Sequence, residues 1–262
     1  MKNKEVINHI VNWLQNYAQD NKMKGFVVGV SGGIDSALTS TLCAKTGLPT
    51  LCLEMPIKQQ KKQVDRAQNH INWLLKQHPN VTDKLVELGP VFDAFSKAVG
   101  ADEQKNEDLL SLANTRSRLR MTTLYYYAGC QRYLVAGTGN KVEDFGVGFY
   151  TKYGDGGVDL SPIADLSKTQ VRALARDLGV SEAILIAPPT DGLWDDDRND
   201  EDQLGATYEQ LEWAMKQQQE GKSSSDFVGE NARVFDIFLT HHNANKHKME
   251  PIPVCSIPAH LL

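Results

Sequence analysis

A glycine-rich turn near the start of the chain combines residue types that bind phosphate. The apolar run Phe26–Val30 is followed by Ser31-Gly32-Gly33-Ile34-Asp35-Ser36 and then by a helical pattern that reaches residue 45. The first turn of a helix presents unpaired N–H groups at the positive end of its dipole, and glycines let the backbone approach a ligand closely. The order strand, turn and helix therefore predicts an oxyanion site, for which phosphate is the usual ligand.

The turn differs from the common nucleotide P-loop in its charge. A P-loop ends in Gly-Lys-Ser/Thr, whereas Asp35 stands before Ser36 in this chain. A carboxylate beside a phosphate repels it unless a cation such as Mg²⁺ lies between the two. We therefore predict that Asp35 is a Mg²⁺ ligand. An ordinary glycine-rich turn without a ligand is the alternative interpretation.

A second polar turn follows another short apolar run. The run Tyr133–Ala136 leads into Gly137-Thr138-Gly139-Asn140, and Glu143 and Asp144 come shortly afterwards. Because the carboxyl ends of parallel strands meet at one rim of a sheet, we expect Thr138 to contact a nucleotide there. We also expect one of the two acids to share the metal with the aspartate of the first turn. An acid that stabilises a helix N-terminus is the alternative interpretation.

Composition bounds the class of protein. The chain has 262 residues, of which 41% are hydrophobic and 23% charged, as is typical of a soluble globular protein, and we expect a single domain over residues 1–262. No apolar run approaches the length of a membrane span, and the four cysteines show no metal-binding spacing, so we expect a cytoplasmic protein without a membrane partner. Residues 191–202 hold seven acids and one base, a charge of −6, so the rest of the chain carries +1 of the net charge of −5. That remainder does not predict a nucleic-acid partner.

Apolar runs and helical patterns alternate along the chain. Strands are expected at 26–30, 50–55, 86–88 and 133–136. Helices are expected near 6–18 and at 36–45, 64–75, 91–99, 109–128, 166–178, 208–219 and 227–242, with a loop over 188–206. This alternation predicts an α/β fold with a doubly wound parallel sheet flanked by helices, of the Rossmann-like type.

The first turn and several later segments resemble known enzymes. Residues 31–36 are similar to the PP-loop of the ATP-pyrophosphatase superfamily, whose fold is adenine nucleotide alpha hydrolase-like. Residues 148–159 (GFYTKYGDGGVD) closely resemble a segment of the NAD synthetases, and so do further stretches in the same order, at 114–121, 166–170, 189–194, 200–205 and 247–248. The chain thus resembles the ammonia-dependent NAD⁺ synthetases over about residues 25–250.

This resemblance implies roles for individual residues. The ATP-binding positions would be Gly29, Val30, Ser31, Gly32, Gly33, Ile34, Asp35, Ser36, Thr138, Lys168 and Thr190. The positions that hold deamido-NAD⁺ would be Arg118, Lys152, Asp159, His247 and Lys248. Asp35 and Glu143 would bind Mg²⁺. The chain has one more residue between Glu143 and Lys152 than many relatives, which leaves Asp144 as an alternative ligand.

The implied reaction is the ATP-dependent amidation of deamido-NAD⁺ with ammonia, the last step of NAD⁺ biosynthesis. An acyl adenylate would form with release of pyrophosphate, and ammonia would then displace AMP. Asp35 and Lys168 would act on the phosphates and the metal, and Asp191, by its position, would accept a proton from ammonium. Only about 30 residues precede the PP-loop, too few for a glutaminase domain, so free ammonia is the expected nitrogen donor. Delivery of ammonia by a separate glutaminase subunit is the alternative.

Two questions remain open at the level of sequence. Other PP-loop enzymes, which make GMP, asparagine or thiolated tRNA, share residues 29–36 but would carry a glutaminase, CxxC pairs or a basic RNA-binding domain. A non-catalytic nucleotide-binding module is a third interpretation.

The resemblance also implies a homodimer. The helix Leu109–Ala128 is a candidate interface because it carries Met121, Tyr125 and Tyr126, and burial of that helix in the core is the alternative.

Overall fold

A parallel sheet lies at the centre of the computed structural model, which describes residues 1–102, 104–190, 192–193 and 199–262. Within those ranges the strands are β1 (Gly25–Gly29), β2 (Thr50–Glu54), β3 (Val81–Leu85) and β4 (Tyr133–Val135), in the order β3-β2-β1-β4. In the register of the sheet, Val27 of β1 lies opposite both Leu51 and Val135. Strand β1 is therefore paired on both sides, and the predicted α/β class is confirmed.

Helices connect the strands and continue beyond them. They are α1 (Asn3–Asp20), α2 (Ile34–Lys45), α3 (Lys61–Gln77), α4 (Gly89–Val99), α5 (Asn106–Gln131), α6 (Lys168–Asp177), α7 (Glu182–Leu185), α8 (Asp200–Leu204), α9 (Tyr208–Gln219) and α10 (Gly229–Met249). A π-helical turn spans Val142–Val147, and 3₁₀ turns lie at Ser224–Asp226 and Ala259–Leu261. None of the helices in the described ranges has the length and apolarity that a membrane crossing requires.

Apolar layers cover both faces of the sheet because successive side chains of a strand point to opposite faces. On one face Phe26 packs with buried residues of α1, α2 and α6, such as Leu38 and Leu174. On the other face Val27 packs with residues of α4 and α5, such as Phe92. The predicted coverage of the sheet by helices on both faces is therefore confirmed.

A third apolar cluster joins the last two long helices to the π-helical turn. It contains Tyr208 of α9, Phe235 and Phe238 of α10, and Val142 and Val147 of the turn. Because the π-helical turn follows β4, this cluster attaches the carboxyl-terminal helices to the rim of the sheet at which β4 ends.

Some predicted elements lie elsewhere. The strand predicted at 86–88 is wrong, since β3 occupies Val81–Leu85 and only Val81 of that strand is buried. An edge strand of this kind lacks the apolar run from which strands are predicted. Helix α8 forms inside the stretch 188–206 that the sequence predicts as a loop, and α10 continues to Met249 rather than ending at residue 242.

A buried histidine predicts how stability changes with pH. His70 of α3 is 3% exposed, its Nε2 lies 3.0 Å from Oγ of Ser40 on α2, and burial lowers its pKa to about 4. Between pH 6.5 and 4 this histidine is therefore protonated in the unfolded chain but not in the native state. Through His70 alone, acidification lowers the free energy of unfolding by up to about 1.4 kcal/mol per pH unit. We expect His70→Gln to flatten that slope.

Urea unfolding at several pH values measures this effect. His9→Gln, which changes an exposed histidine of α1, is the control and should keep the wild-type slope. An unchanged slope in His70→Gln would contradict the assignment of the pH dependence to His70.

Candidate active site

A cleft of about 250 Å³ opens at the carboxyl ends of β1, β2 and β4. The residues predicted to bind ATP line this cleft, with the exception of Gly32: they are Gly29, Val30, Ser31, Gly33, Ile34, Asp35, Ser36, Thr138, Lys168 and Thr190. The segments that follow β1 and β4 thus meet at one rim, as the order of the elements predicts. The start of α6 and the segment after α7 complete the wall.

The turn after β1 has a shape that requires glycine at one position. Gly32 has a φ of +81°, and a Cβ there would lie 2.6 Å from the backbone oxygen of Gln63 on α3. The Ser36 hydroxyl donates to the carbonyl of Gly33 at 3.0 Å and accepts from the N–H of Ser31 at 3.2 Å. These bonds close the turn onto the start of α2, so the first turn of that helix borders the cleft.

A lysine lies between two carboxylates on the wall of this cleft. Nζ of Lys168 is 2.6 Å from Oδ2 of Asp35 and 2.9 Å from Oε1 of Glu143, and the lysine side chain is only 4% exposed. Burial alone would lower the pKa of Lys168, but the two carboxylates outweigh burial and raise it, so the ammonium stays charged. We call these three residues the Asp35–Lys168–Glu143 centre.

The start of α6 holds the lysine in place. Ser167 caps the helix by accepting from the N–H of Gln170 at 3.4 Å, and Oε1 of Gln170 accepts from the N–H of Ser167 at 2.9 Å. Lys168 is then the first helical residue, which directs its side chain from the beginning of α6 toward the two acids.

The π-helical turn places Glu143, rather than Asp144, beside Asp35. In a π-helical turn the backbone hydrogen bond spans one residue more than in an α-helix, and such a turn accommodates an extra residue. The Asp144 carboxylate lies against Gly139, where a Cβ would overlap its oxygens. Burial raises the pKa of Asp144 well above its usual value, and the nearby carboxylates of Glu143 and Asp155 raise it further.

The two carboxylates of the centre differ in their proton affinity. Burial raises the pKa of Asp35, and its hydrogen bonds from Lys168 and Asn140 offset this only in part. For Glu143, burial is outweighed by Lys168 and by the hydroxyl of Tyr208, so the pKa is lowered. Glu143 is the more firmly ionised of the pair because the Tyr208 hydroxyl acts together with Lys168 to favour its charged form.

Three residues make hydrogen bonds within the site that the sequence does not predict. Nδ2 of Asn140 donates to Oδ1 of Asp35 at 3.2 Å, and Nε of Arg66 donates to the carbonyl of Gly32 at 3.2 Å. Tyr208 donates to Glu143 at 2.5 Å. Asn140 belongs to the predicted turn at residues 137–140, whereas the sequence around Arg66 and Tyr208 predicts only a helix.

The residues predicted to hold deamido-NAD⁺ are described residues that lie outside the cleft wall. Nε of Arg118 donates to the carbonyl of Lys152 at 3.4 Å, and Nζ of Lys152 donates to the carbonyl of His247 at 3.0 Å. Lys248 donates to the carbonyl of Tyr150 at 2.8 Å. We call Arg118, Lys152, His247 and Lys248 the outer cluster. It joins α5, residues 148–159 (the glycine-rich segment) and the end of α10.

Asp159 has a different environment from the outer cluster. Its Oδ2 accepts from the N–H of Val135 in β4 at 2.8 Å, and its Oδ1 accepts from the hydroxyl of Tyr125 at 3.0 Å. The carboxylate therefore fastens the glycine-rich segment to β4 and α5.

Asp191, the predicted proton acceptor, lies outside the described residues. Its neighbours Thr190 and Gly192 line the cleft. The N–H of Asp200 donates to the carbonyl of Pro189 at 3.0 Å.

The Asp35–Lys168–Glu143 centre predicts a large effect of removing its cation. Lys168→Met leaves two buried carboxylates without their ammonium, and breaking a buried pair in this way typically costs about 3–5 kcal/mol. We expect urea unfolding to show a loss of this order. Lys141→Met, which removes an exposed ion pair with Asp165, is the matched control and should change stability by less than about 1 kcal/mol. Equal stability of Lys168→Met and the wild type would contradict the assignment.

Comparison with known proteins agrees with this geometry. The sequence profile of the NAD synthase family matches residues 6–251. An NH(3)-dependent NAD(+) synthetase of Carboxydothermus hydrogenoformans is 38% identical over 84% of this chain and 88% of its own length. The structure of an NMN synthetase from Francisella tularensis has a TM-score of 0.85 at 33% identity and covers 98% of this chain and 100% of its own. The NH3-dependent NAD synthetase of Campylobacter jejuni has a TM-score of 0.78 at 26% identity, with 98% and 100% covered. The chain therefore belongs to the NAD synthase family.

Proposed function

We propose that this protein amidates deamido-NAD⁺ to NAD⁺ with ATP and ammonia at the cleft described above. The observation that carries the proposal is the meeting of the PP-loop with the Asp35–Lys168–Glu143 centre at the carboxyl ends of the strands, in a chain of the NAD synthase family. ATP is the co-substrate that this family uses.

The reaction requires alignment and charge neutralisation more than covalent catalysis. One oxygen of the nicotinate carboxylate attacks the α-phosphorus of ATP, the bond to the β-phosphate oxygen breaks, and pyrophosphate leaves. Ammonia then attacks the acyl carbon, the acyl–oxygen bond breaks, AMP leaves with that oxygen, and one proton is released. N–H groups of the first turn of α2 are proposed to bind the phosphates, with the ammonium of Lys168 facing the leaving group. Asp191 remains the proposed acceptor for the proton of ammonium.

Asp35 and Glu143 fit a magnesium ion that arrives with ATP. Mg²⁺ is commonly bound by one or two carboxylates together with phosphate oxygens and water. Two carboxylates at the edge of a nucleotide cleft suit a cation that is held partly by the phosphates of ATP. Bound there, Mg²⁺ would neutralise charge on the phosphates.

The dinucleotide substrate and the assembly are proposed together. The outer cluster supplies basic groups that suit the phosphates of deamido-NAD⁺, and Arg118 belongs to α5. That helix buries Leu112 and Ala128 in the core but leaves Tyr125 and Tyr126 36% and 65% exposed. Exposed aromatic side chains favour an interface, so we propose a homodimer in which α5 lies at the contact and the outer cluster near it.

One relative favours a second candidate substrate. The structure from Francisella tularensis is that of an NMN synthetase, and an enzyme of that kind would amidate the mononucleotide with a nicotinate ring. Such a substrate lacks the adenylate half and would leave the outer cluster, which lies outside the cleft wall, without a ligand.

Product analysis tests the proposed function. Purified protein with ATP, Mg²⁺ and ammonium chloride is expected to convert deamido-NAD⁺ to NAD⁺ and to release one AMP and one pyrophosphate for each turnover. Nicotinate mononucleotide in a parallel reaction tests the second candidate, which a higher kcat/KM for the mononucleotide would favour. ADP and phosphate as stoichiometric products would contradict adenylation of the carboxylate.

The metal proposal predicts the phenotype of a single substitution. Asp35→Asn keeps the size of the side chain but removes the charge that would face Mg²⁺, and we expect turnover to fall at least about tenfold, on the order of 1.4 kcal/mol of barrier. Asp165→Asn, at a carboxylate 97% exposed, is the control and should retain full activity. Undiminished wild-type turnover in excess chelator would refute the need for a divalent cation.

A further inference from the structure

Tyr208 is the first residue of α9, and its hydroxyl reaches the Asp35–Lys168–Glu143 centre. The side chain is fully buried, and its oxygen lies 2.5 Å from Oε1 of Glu143 and 3.3 Å from Oδ2 of Asp200. Because a tyrosine hydroxyl has one proton to donate, the shorter distance assigns that proton to Glu143.

The backbone that carries Tyr208 is held on both sides. Oε1 of Gln210 accepts from the N–H of Thr207 at 2.9 Å, and Oγ1 of Thr207 accepts from the N–H of Gln210 at 3.3 Å, which is a capping box. The N–H of Tyr208 itself donates to Oε1 of Glu201 at 2.9 Å. With the start of α9 held in this way, the hydroxyl provides a fixed point to which Glu143 is bound.

One oxygen of Glu143 accepts two hydrogen bonds. Oε1 takes the hydroxyl proton of Tyr208 and a proton of the Lys168 ammonium at 2.9 Å. Nζ of Lys168 also lies 4.7 Å from the centroid of the Tyr208 ring, within the range of a cation–π interaction. Tyr208 thus contacts the Glu143 carboxylate through its hydroxyl and the Lys168 ammonium through its ring. These two contacts can be separated, because phenylalanine keeps the ring and loses only the hydroxyl.

We infer that Tyr208 is a positioning residue that orients the Glu143 carboxylate toward the cation bound with ATP. This inference rests on the proposed function, in which Asp35 and Glu143 hold Mg²⁺. Groups that hydrogen-bond to a metal ligand fix its orientation, and removal of such a group typically costs about 10–100-fold in metal affinity or activity. The role of Tyr208 is therefore visible in the contribution of Mg²⁺ to ATP binding, before any chemistry occurs.

Calorimetric titration with ATP, with and without Mg²⁺, tests the inference. We expect Mg²⁺ to tighten ATP binding to the wild type, and Tyr208→Phe to lose at least about tenfold of that gain while its affinity for ATP in chelator stays within twofold of wild type. A merely structural role would weaken ATP binding equally with and without Mg²⁺. A full Mg²⁺-dependent gain in Tyr208→Phe would overturn the inference, and so would an equal weakening.

Two further arms keep the result unambiguous. Tyr17→Phe removes a tyrosine hydroxyl from α1 and should leave both ATP affinities unchanged. Conversion of deamido-NAD⁺ by the wild type is measured in parallel, because its failure would refute the proposed function while the calorimetric comparison still decides the role of Tyr208.

A spectroscopic measurement serves if Tyr208→Phe does not fold. A hydroxyl proton in a short bond to a carboxylate gives a downfield, slowly exchanging proton resonance, and in the wild type we expect one that Glu143→Gln abolishes or moves upfield. We expect addition of ATP with Mg²⁺ to shift this resonance and ATP in chelator to leave it unchanged. An identical response in both conditions would contradict the link between Tyr208 and the cation.

Discussion

A single ammonium group pairs with two carboxylates on the largely buried wall of the cleft, and the three residues come from distant parts of the chain. Asp35 and Lys168 are 133 positions apart, and Glu143 is 25 positions from Lys168. Charged groups are stable in such a place only when they are paired. The turn after β1, the segment after β4 and the start of α6 must therefore converge, and the arrangement of the rim follows from this requirement.

Several local features serve that convergence. Strands β1 and β4 are neighbours, so the segments that follow them begin side by side. Asn140 then bridges them, because its amide nitrogen donates to Asp35 while its amide oxygen accepts from the N–H groups of Val142 and Glu143, each at 3.2 Å. The π-helical turn Val142–Val147 carries Glu143, whose carboxylate accepts from the Lys168 ammonium. These contacts bring the turn at residues 31–36 and the Asp35–Lys168–Glu143 centre together at one rim of the sheet.

Much of this could be predicted from the sequence, and the failures have physical reasons. Strands β1, β2 and β4 are apolar runs, β1 and β4 lead into glycine turns, and Ser167 marks the start of α6, so these elements and the turn at residues 31–36 were predictable. Strand β3 was not, since its edge position tolerates polar residues. The contact of Tyr208 was not predictable, because an aromatic residue at the start of a helix is typical of the core and its hydrogen-bond partner Glu143 lies 65 positions away. The position of the outer cluster depends on how α10 packs, which residue spacing does not encode.

Transfer of an oxygen isotope tests the central claim, that this chain activates a carboxylate by adenylation. Deamido-NAD⁺ labelled with ¹⁸O in its nicotinate carboxylate is incubated with ATP and ammonium, and the products are analysed by mass spectrometry. In the proposed reaction the carboxylate oxygen that attacks ATP leaves with the nucleotide, so each AMP carries one ¹⁸O and pyrophosphate carries none. Unlabelled AMP, or label in pyrophosphate, would contradict the account.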